Sequence, residues 1–215
     1  MQEVNFRITM AIVGIAIGLV IHNTILVFDQ NANAQSISGN FDGSTKSMKT
    51  YTNDQYKFRI SYPTNWDKIE FTPGITESGR QIVVTFLSPL ESPSDTFREY
   101  LTVEVANLSP APIVDKAKMI QYAKNQIDVN RKSLQGFHLL AQSDQSNTTE
   151  LEMGNSACYK VLYNYNDATA GKINVFDIYC TNDSKIYFLS FQSDSSKYSQ
   201  YLPVLKQIIN SFKLT

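Results

Sequence analysis

Two apolar runs in the last third of the chain constrain its fold more than any other feature. The first is "ACYKVLYNY", residues 157–165, and the second is "KINVFDIYC", residues 172–180. Both mix apolar and polar residues in short stretches rich in tyrosine, valine and isoleucine, the composition of β-strands. In an antiparallel hairpin, opposed residues keep a constant index sum. Placing Cys158 opposite Cys180 makes that sum 338. The same register faces Leu162 with Phe176, Tyr163 with Val175 and Tyr165 with Ile173. It leaves Asp167–Gly171 as a five-residue loop ending in glycine, a permitted hairpin length. One register thus accounts for the turn, the apolar pairs and both cysteines. Directly opposed Cβ atoms lie about 4.5–5.5 Å apart, slightly wide for a disulfide, so some pinching of the strands is expected. Cys158 and Cys180 are expected to be bonded. Two free, packed thiols are the alternative, and neither arrangement resembles a reactive Cys-x-x-Cys pair.

The rest of the chain extends this pattern. Candidate strands precede the hairpin at Tyr56–Tyr62, Lys68–Phe71, Gln81–Leu87 and Tyr100–Ala106, separated by "PTNW", "TPGITESGR" and "SPLESPSDTF". The period then changes. Ile113, Ala117, Ile120, Ala123, Ile127 and Leu134 recur at helical spacing and predict one amphipathic helix of about five turns, ended near Gly136. Strands follow at Phe137–Gln142, Thr148–Met153, Ala157–Tyr165, Lys172–Cys180 and Ile186–Phe191. A closing helix carries the stripe Tyr198, Tyr201, Leu202, Leu205, Ile208, Ile209 and Phe212, with Pro203 expected in the first turn of its main part. Strands mostly follow strands through short turns. The fold class is therefore α+β, an antiparallel β-sheet flanked by helices, over residues 51–215.

The first 34 residues read differently. Arg7 precedes an apolar run over residues 8–28, and "ANA" at Ala32–Ala34 offers small residues at the positions a signal peptidase reads. This is either a signal peptide cleaved before Gln35 or a retained N-terminal membrane anchor, since the run approaches the ~20 residues that span a bilayer. Both send the domain across the membrane, into a compartment where disulfides form. Residues 35–50, "QSISGNFDGSTKSMKT", read as a flexible linker.

Composition narrows the chemistry. Formal net charge is -1, and without residues 1–34, which carry Glu3, Arg7 and Asp29, it is zero. No basic excess exists to neutralise phosphates, which argues against nucleic-acid binding. Beyond the leader the sole histidine is His138. A metal site built on several histidines is thereby excluded, as is zinc held by Cys/His spacing. A hydrolase would need His138 as its base, yet no Gly-x-Ser-x-Gly elbow accompanies it; it reads as a strand residue. Glu150 and Glu152 share a face of a short strand and read as a solvated pair. No catalytic, cofactor-binding or metal-ligating residue is assigned. Three Asn-x-Ser/Thr triplets, at Asn107, Asn147 and Asn182, fall at expected turns and are compatible with N-glycosylation of an exported domain.

Four stretches resemble the PsbP-like family, named for an extrinsic subunit on the oxygen-evolving side of photosystem II. They are "YKFRISYPTNW", "LEMGNSACYKVLYNY", "KIYFLSFQSD" and "YSQYLPVLKQIINSFKL". The resemblance implies an antiparallel sheet between helices, with Pro63 ending a strand and Trp66 anchoring the turn into the core. Family members in plants and cyanobacteria dock on membrane subunits and help retain calcium and chloride, so weak calcium binding is implied by resemblance alone. No residue here matches a family metal ligand, and no functional residue is carried over. The expected role is a non-enzymatic extracytoplasmic module that docks on a membrane or envelope complex. The alternatives are a small-ligand or ion binder using Tyr159, Tyr163 and Tyr179, and a hydrolase using His138.

Overall fold

A computed structural model describes residues 47–72, 80–92, 95, 97–107, 116–143, 158–182 and 185–215. The leader at 1–34 and the strand expected at Thr148–Met153 lie outside the described residues. Ten strands and two helices are present among those described. They are β1 (Met48–Asn53), β2 (Phe58–Pro63), β3 (Asp67–Glu70), β4 (Arg80–Leu87), β5 (Tyr100–Asn107), α1 (Lys116–Ser133), β6 (His138–Gln142), β7 (Tyr159–Asp167), β8 (Gly171–Asn182), β9 (Lys185–Asp194), α2 (Tyr198–Ser211) and β10 (Lys213–Leu214).

Seven strands form one sheet in the order β3-β4-β5-β9-β8-β7-β6, and β1-β2-β10 form a second; every pairing is antiparallel. The fold class is the α+β arrangement expected. On one face of the large sheet, α1 covers a core that includes Met119, Ala123, Ile127, Tyr163, Val175 and Phe188. On the other, α2 and the small sheet close a core that includes Phe58, Ile60, Trp66, Phe86, Tyr201 and Ile208.

Alternation explains β2. Phe58, Ile60 and Tyr62 are buried while Arg59 is exposed, so one face turns to the core. Pro63 ends the strand, and the Trp66 N–H bonds its carbonyl at 3.0 Å to close the turn. The indole is buried, its ring 6.2 Å from that of Tyr201 on α2. Trp66 therefore pins the first turn to the last helix.

Four expectations are corrected. The linker assigned to residues 35–50 stops short, because Met48–Thr50 belong to β1, paired with β2 from Met48↔Pro63 to Asn53↔Phe58. Only Tyr51 of that strand is buried, so little apolar pattern marked it. The two-residue β10, which pairs with Arg59 and Phe58, is likewise too short to show a period. The stripe of α1 matches the one expected at Ala123 and Ile127 and differs toward its start, where Met119 is the buried residue. Met119, Ala123 and Ile127 are buried, whereas Ile120 is half-buried and Ala117 is exposed. Finally, α2 begins at Tyr198, so Pro203 lies inside the helix rather than in its first turn. Its missing N–H costs one backbone bond, which the burial of Tyr201, Leu205, Ile208 and Ile209 on either side outweighs. Gly136, at φ 65°, reverses the chain after α1 as expected.

Candidate functional site

The β7–β8 hairpin carries the predicted cysteine pair. Its ladder runs from Tyr159↔Tyr179 through Leu162↔Phe176 and Tyr165↔Ile173 to Asp167↔Gly171, the register expected. Cys158 and Cys180 continue it and are joined in a disulfide with Cα atoms 4.5 Å apart. That separation is normal for a non-hydrogen-bonded antiparallel pair, so no extra pinching is required. The loop is shorter than expected, because Asp167 and Gly171 form the last pair. Asp167 Oδ1 accepts the N–H groups of Thr169 and Ala170, both at 2.8 Å, and Gly171 takes φ 79°.

The α1-side face of the large sheet collects a second set of groups. Arg80, in β4, bonds Glu104 of β5 through Nη2 and Oε2 at 2.7 Å. Its guanidinium lies 4.4 Å from the Phe188 ring centroid, and Nη1 donates to Gln126 Oε1 on α1 at 3.3 Å. Gln126 Nε2 donates to Asn130 Oδ1 at 3.1 Å, and Asn130 Nδ2 donates to the Tyr163 hydroxyl at 3.2 Å. The Tyr179 hydroxyl approaches Asp177 Oδ2 at 3.4 Å. Burial pushes the Asp177 carboxyl up to about 6, against hydrogen bonding by Ser190 and the charge of Arg80, which lower it. Burial also raises Tyr163 and Tyr179 well above the ordinary phenol range. Arg80 holds its proton more tightly than in water: burial opposes its charge, but Glu104 and neighbouring acids outweigh that.

A third cluster joins the segment after β4 to the start of α2. Lys197 Nζ lies 3.1 Å from Glu91, 3.2 Å from Asp95 and 4.0 Å from Glu99. The Tyr201 hydroxyl donates to Glu91 Oε1 at 2.8 Å, and Ser88 Oγ donates to Glu99 Oε2 at 3.2 Å. Glu99 is fully buried, and burial raises its carboxyl above the usual range while Lys197 pulls it down. The centre of this acidic group is filled by an ammonium, so it acts as a strap.

Comparison with known proteins follows the same outline. The family model described as "PsbP-like protein" matches residues 8–214. The chain belongs to the PsbP-like family. Comparison with curated proteins finds no match. The solution structure of cyanobacterial PsbP (CyanoP) from Synechocystis sp. PCC 6803 superposes with TM-score 0.54 at 14% identity, covering 86% of this chain and 99% of that one. This likeness shows a shared fold. LpqN of Mycobacterium tuberculosis, described as involved in cell envelope biogenesis, reaches TM-score 0.48 at 11% identity, over 80% of this chain and 87% of its own. The Ran-binding protein Mog1p of Saccharomyces cerevisiae reaches 0.47 at 9%, over 79% and 96%. Nothing further rests on those two.

Within this PsbP-like protein the other expected residues scatter. His138 is exposed at the start of edge strand β6, opposite Asn164. Asn107 and Asn182 are not in turns; each is the last residue of its strand, and both pair with Lys185. Asn147, Glu150 and Glu152 lie outside the described residues. Tyr159, Tyr163 and Tyr179 are buried in the core on the α1 side, where the Tyr163 and Tyr179 hydroxyls make the contacts to Asn130 and Asp177 described above. Among the described residues no group of three His, Cys, Asp or Glu is placed to hold a metal. No described helix is long and apolar enough to cross a membrane, and residues 8–28 are not among those described. Arg80, Glu104 and Asp177 escaped sequence reading. One signal existed: in β8, Asp177 occupies the parity of Ile173, Val175 and Tyr179, a charge on an otherwise apolar face.

Proposed function

We propose that this PsbP-like protein is a non-enzymatic extracytoplasmic binding module that docks on a membrane or envelope protein complex. The observation that carries the reading is the Cys158–Cys180 bond. Reducing compartments keep such thiols open, so a structural disulfide belongs to an exported domain. Both cysteines sit in the apolar core on the α2 side, the setting of inert structural cysteines and not of redox catalysts. The apolar run at 8–28 followed by Ala32–Ala34 supports the same compartment. Family membership supplies the class of partner.

The charged clusters support a binding rather than a catalytic role. Arg80 is spent on Glu104, and Lys197 on Glu91 and Asp95, each joining one element of the fold to another. Membranes solubilised in mild detergent and resolved by native electrophoresis test the reading. The full chain should migrate in an assembly well above its own mass. Recovery of the whole population as a monomer from the cytoplasmic fraction would refute it.

A further inference from the structure

The α1-side cluster holds two carboxylates and one guanidinium. Arg80 is matched by Glu104 at 2.7 Å, which leaves Asp177 as the surplus negative group. Asp177 Oδ1 is out of contact with solvent and has no hydrogen-bond partner. Its Oδ2 meets the Tyr179 hydroxyl at 3.4 Å, while Ser190 and Tyr163 also bond the carboxylate. A buried charge without full compensation is costly. No protein group satisfies Oδ1 there. A proton does, by turning the carboxylate into a neutral hydrogen-bonding group.

We infer that Asp177 is a proton-binding site that couples the seating of α1 on the sheet to pH. The coupling runs through side chains already in contact. Tyr163 touches Asp177 on the sheet and accepts from Asn130 on α1; Asn130 is joined to Gln126, which accepts from Arg80. These two polar links between α1 and the sheet therefore end in the cluster that carries the surplus charge. When Asp177 ionises, its charge stays buried on the α1 side without full compensation, a cost that lifting α1 relieves by exposing the carboxylate to water.

The groups that face this site are Arg80 on β4, Tyr100 and Glu104 on β5, Tyr163 and Tyr165 on β7, Tyr179 on β8 and Tyr122 on α1. Ser190, from β9, does not titrate. The α1 cations Lys116, Lys118, Lys124, Arg131 and Lys132 are exposed. The site's affinity for its proton lies near pH 6, above the ordinary aspartate range near 4, because burial outweighs Ser190 and Arg80. The sign follows. The folded state holds a proton that the open state has lost, so stability is fullest below about pH 4 and falls as pH rises to about 6.

Hydrogen exchange of the full chain, corrected for intrinsic rates, tests this at residues 119–130. Between pH 5 and pH 7 the opening constant of α1 should rise about tenfold in the native protein and stay level in Asp177→Asn. Parallel behaviour of the two proteins would overturn the inference. Should Asp177→Asn fail to fold, the carboxyl carbon resonance of Asp177 in the native protein decides. A midpoint above the ordinary aspartate range upholds the site, and one within that range overturns it.

Discussion

Cys158 and Cys180 stand opposite each other on strands already joined by a continuous backbone ladder. A bond that closes a segment with a sequence separation of 22 constrains the unfolded chain by about 3 kcal/mol in the chain-entropy description. The hairpin does not depend on it. Reduction, or Cys158→Ala with Cys180→Ala, should therefore lower the melting temperature and leave a cooperative transition; differential scanning calorimetry checks this. A reduced protein that no longer folds would mean the ladder is weaker than its register implies. This residue pair was legible in the sequence because hairpin register is arithmetic: one index sum satisfied the loop, Leu162–Phe176 and the cysteines together. Asp177 was not legible in the same way. Its parity marked it as facing a core, but whether that face is covered, and by what, depends on α1 and on Arg80, which lies far away in sequence.

At the scale of elements, the two helices are held differently. α2 buries Tyr198, Tyr201, Leu205, Ile208 and Ile209 against the small sheet and β9, and Ser211 Oγ accepts the Ser61 N–H at 2.7 Å at its far end. α1 buries only Met119, Ala123 and Ile127 and adds the Gln126 and Asn130 links. Ile208→Asp should abolish the thermal transition, since it buries an unpaired charge in the larger core. Met119→Asp should do the same to α1. Ile120→Asp should cost markedly less, because Ile120 is half-buried and its carboxylate can reach water. Circular dichroism melts of the three variants separate these cases, and equal loss at 119 and 120 would put the α1 face where the sequence stripe placed it. That stripe held at Ala123 and Ile127 and missed Met119, because its start was fitted to Ala117, which is exposed. The strands β1 and β10 were illegible for another reason. They are polar or very short, and partner backbone in β2 makes them strands.

At the scale of the whole molecule, the chain packs two cores on opposite faces of one seven-stranded sheet. The antiparallel pairing was readable from strands that follow one another through short turns, and both helices from period changes, while the strand order and the second sheet beside α2 were not. The central claim is that this PsbP-like domain folds and works outside the cytoplasm as a docking module, and the disulfide is its most direct marker. Intact cells producing the full chain can be quenched in acid, unfolded and alkylated with a mass-shifting maleimide, before and after reduction. The mature protein should take up no maleimide before reduction and two per chain afterwards. Two maleimides per chain without reduction would show the thiols open in the cell, and would contradict the extracytoplasmic account.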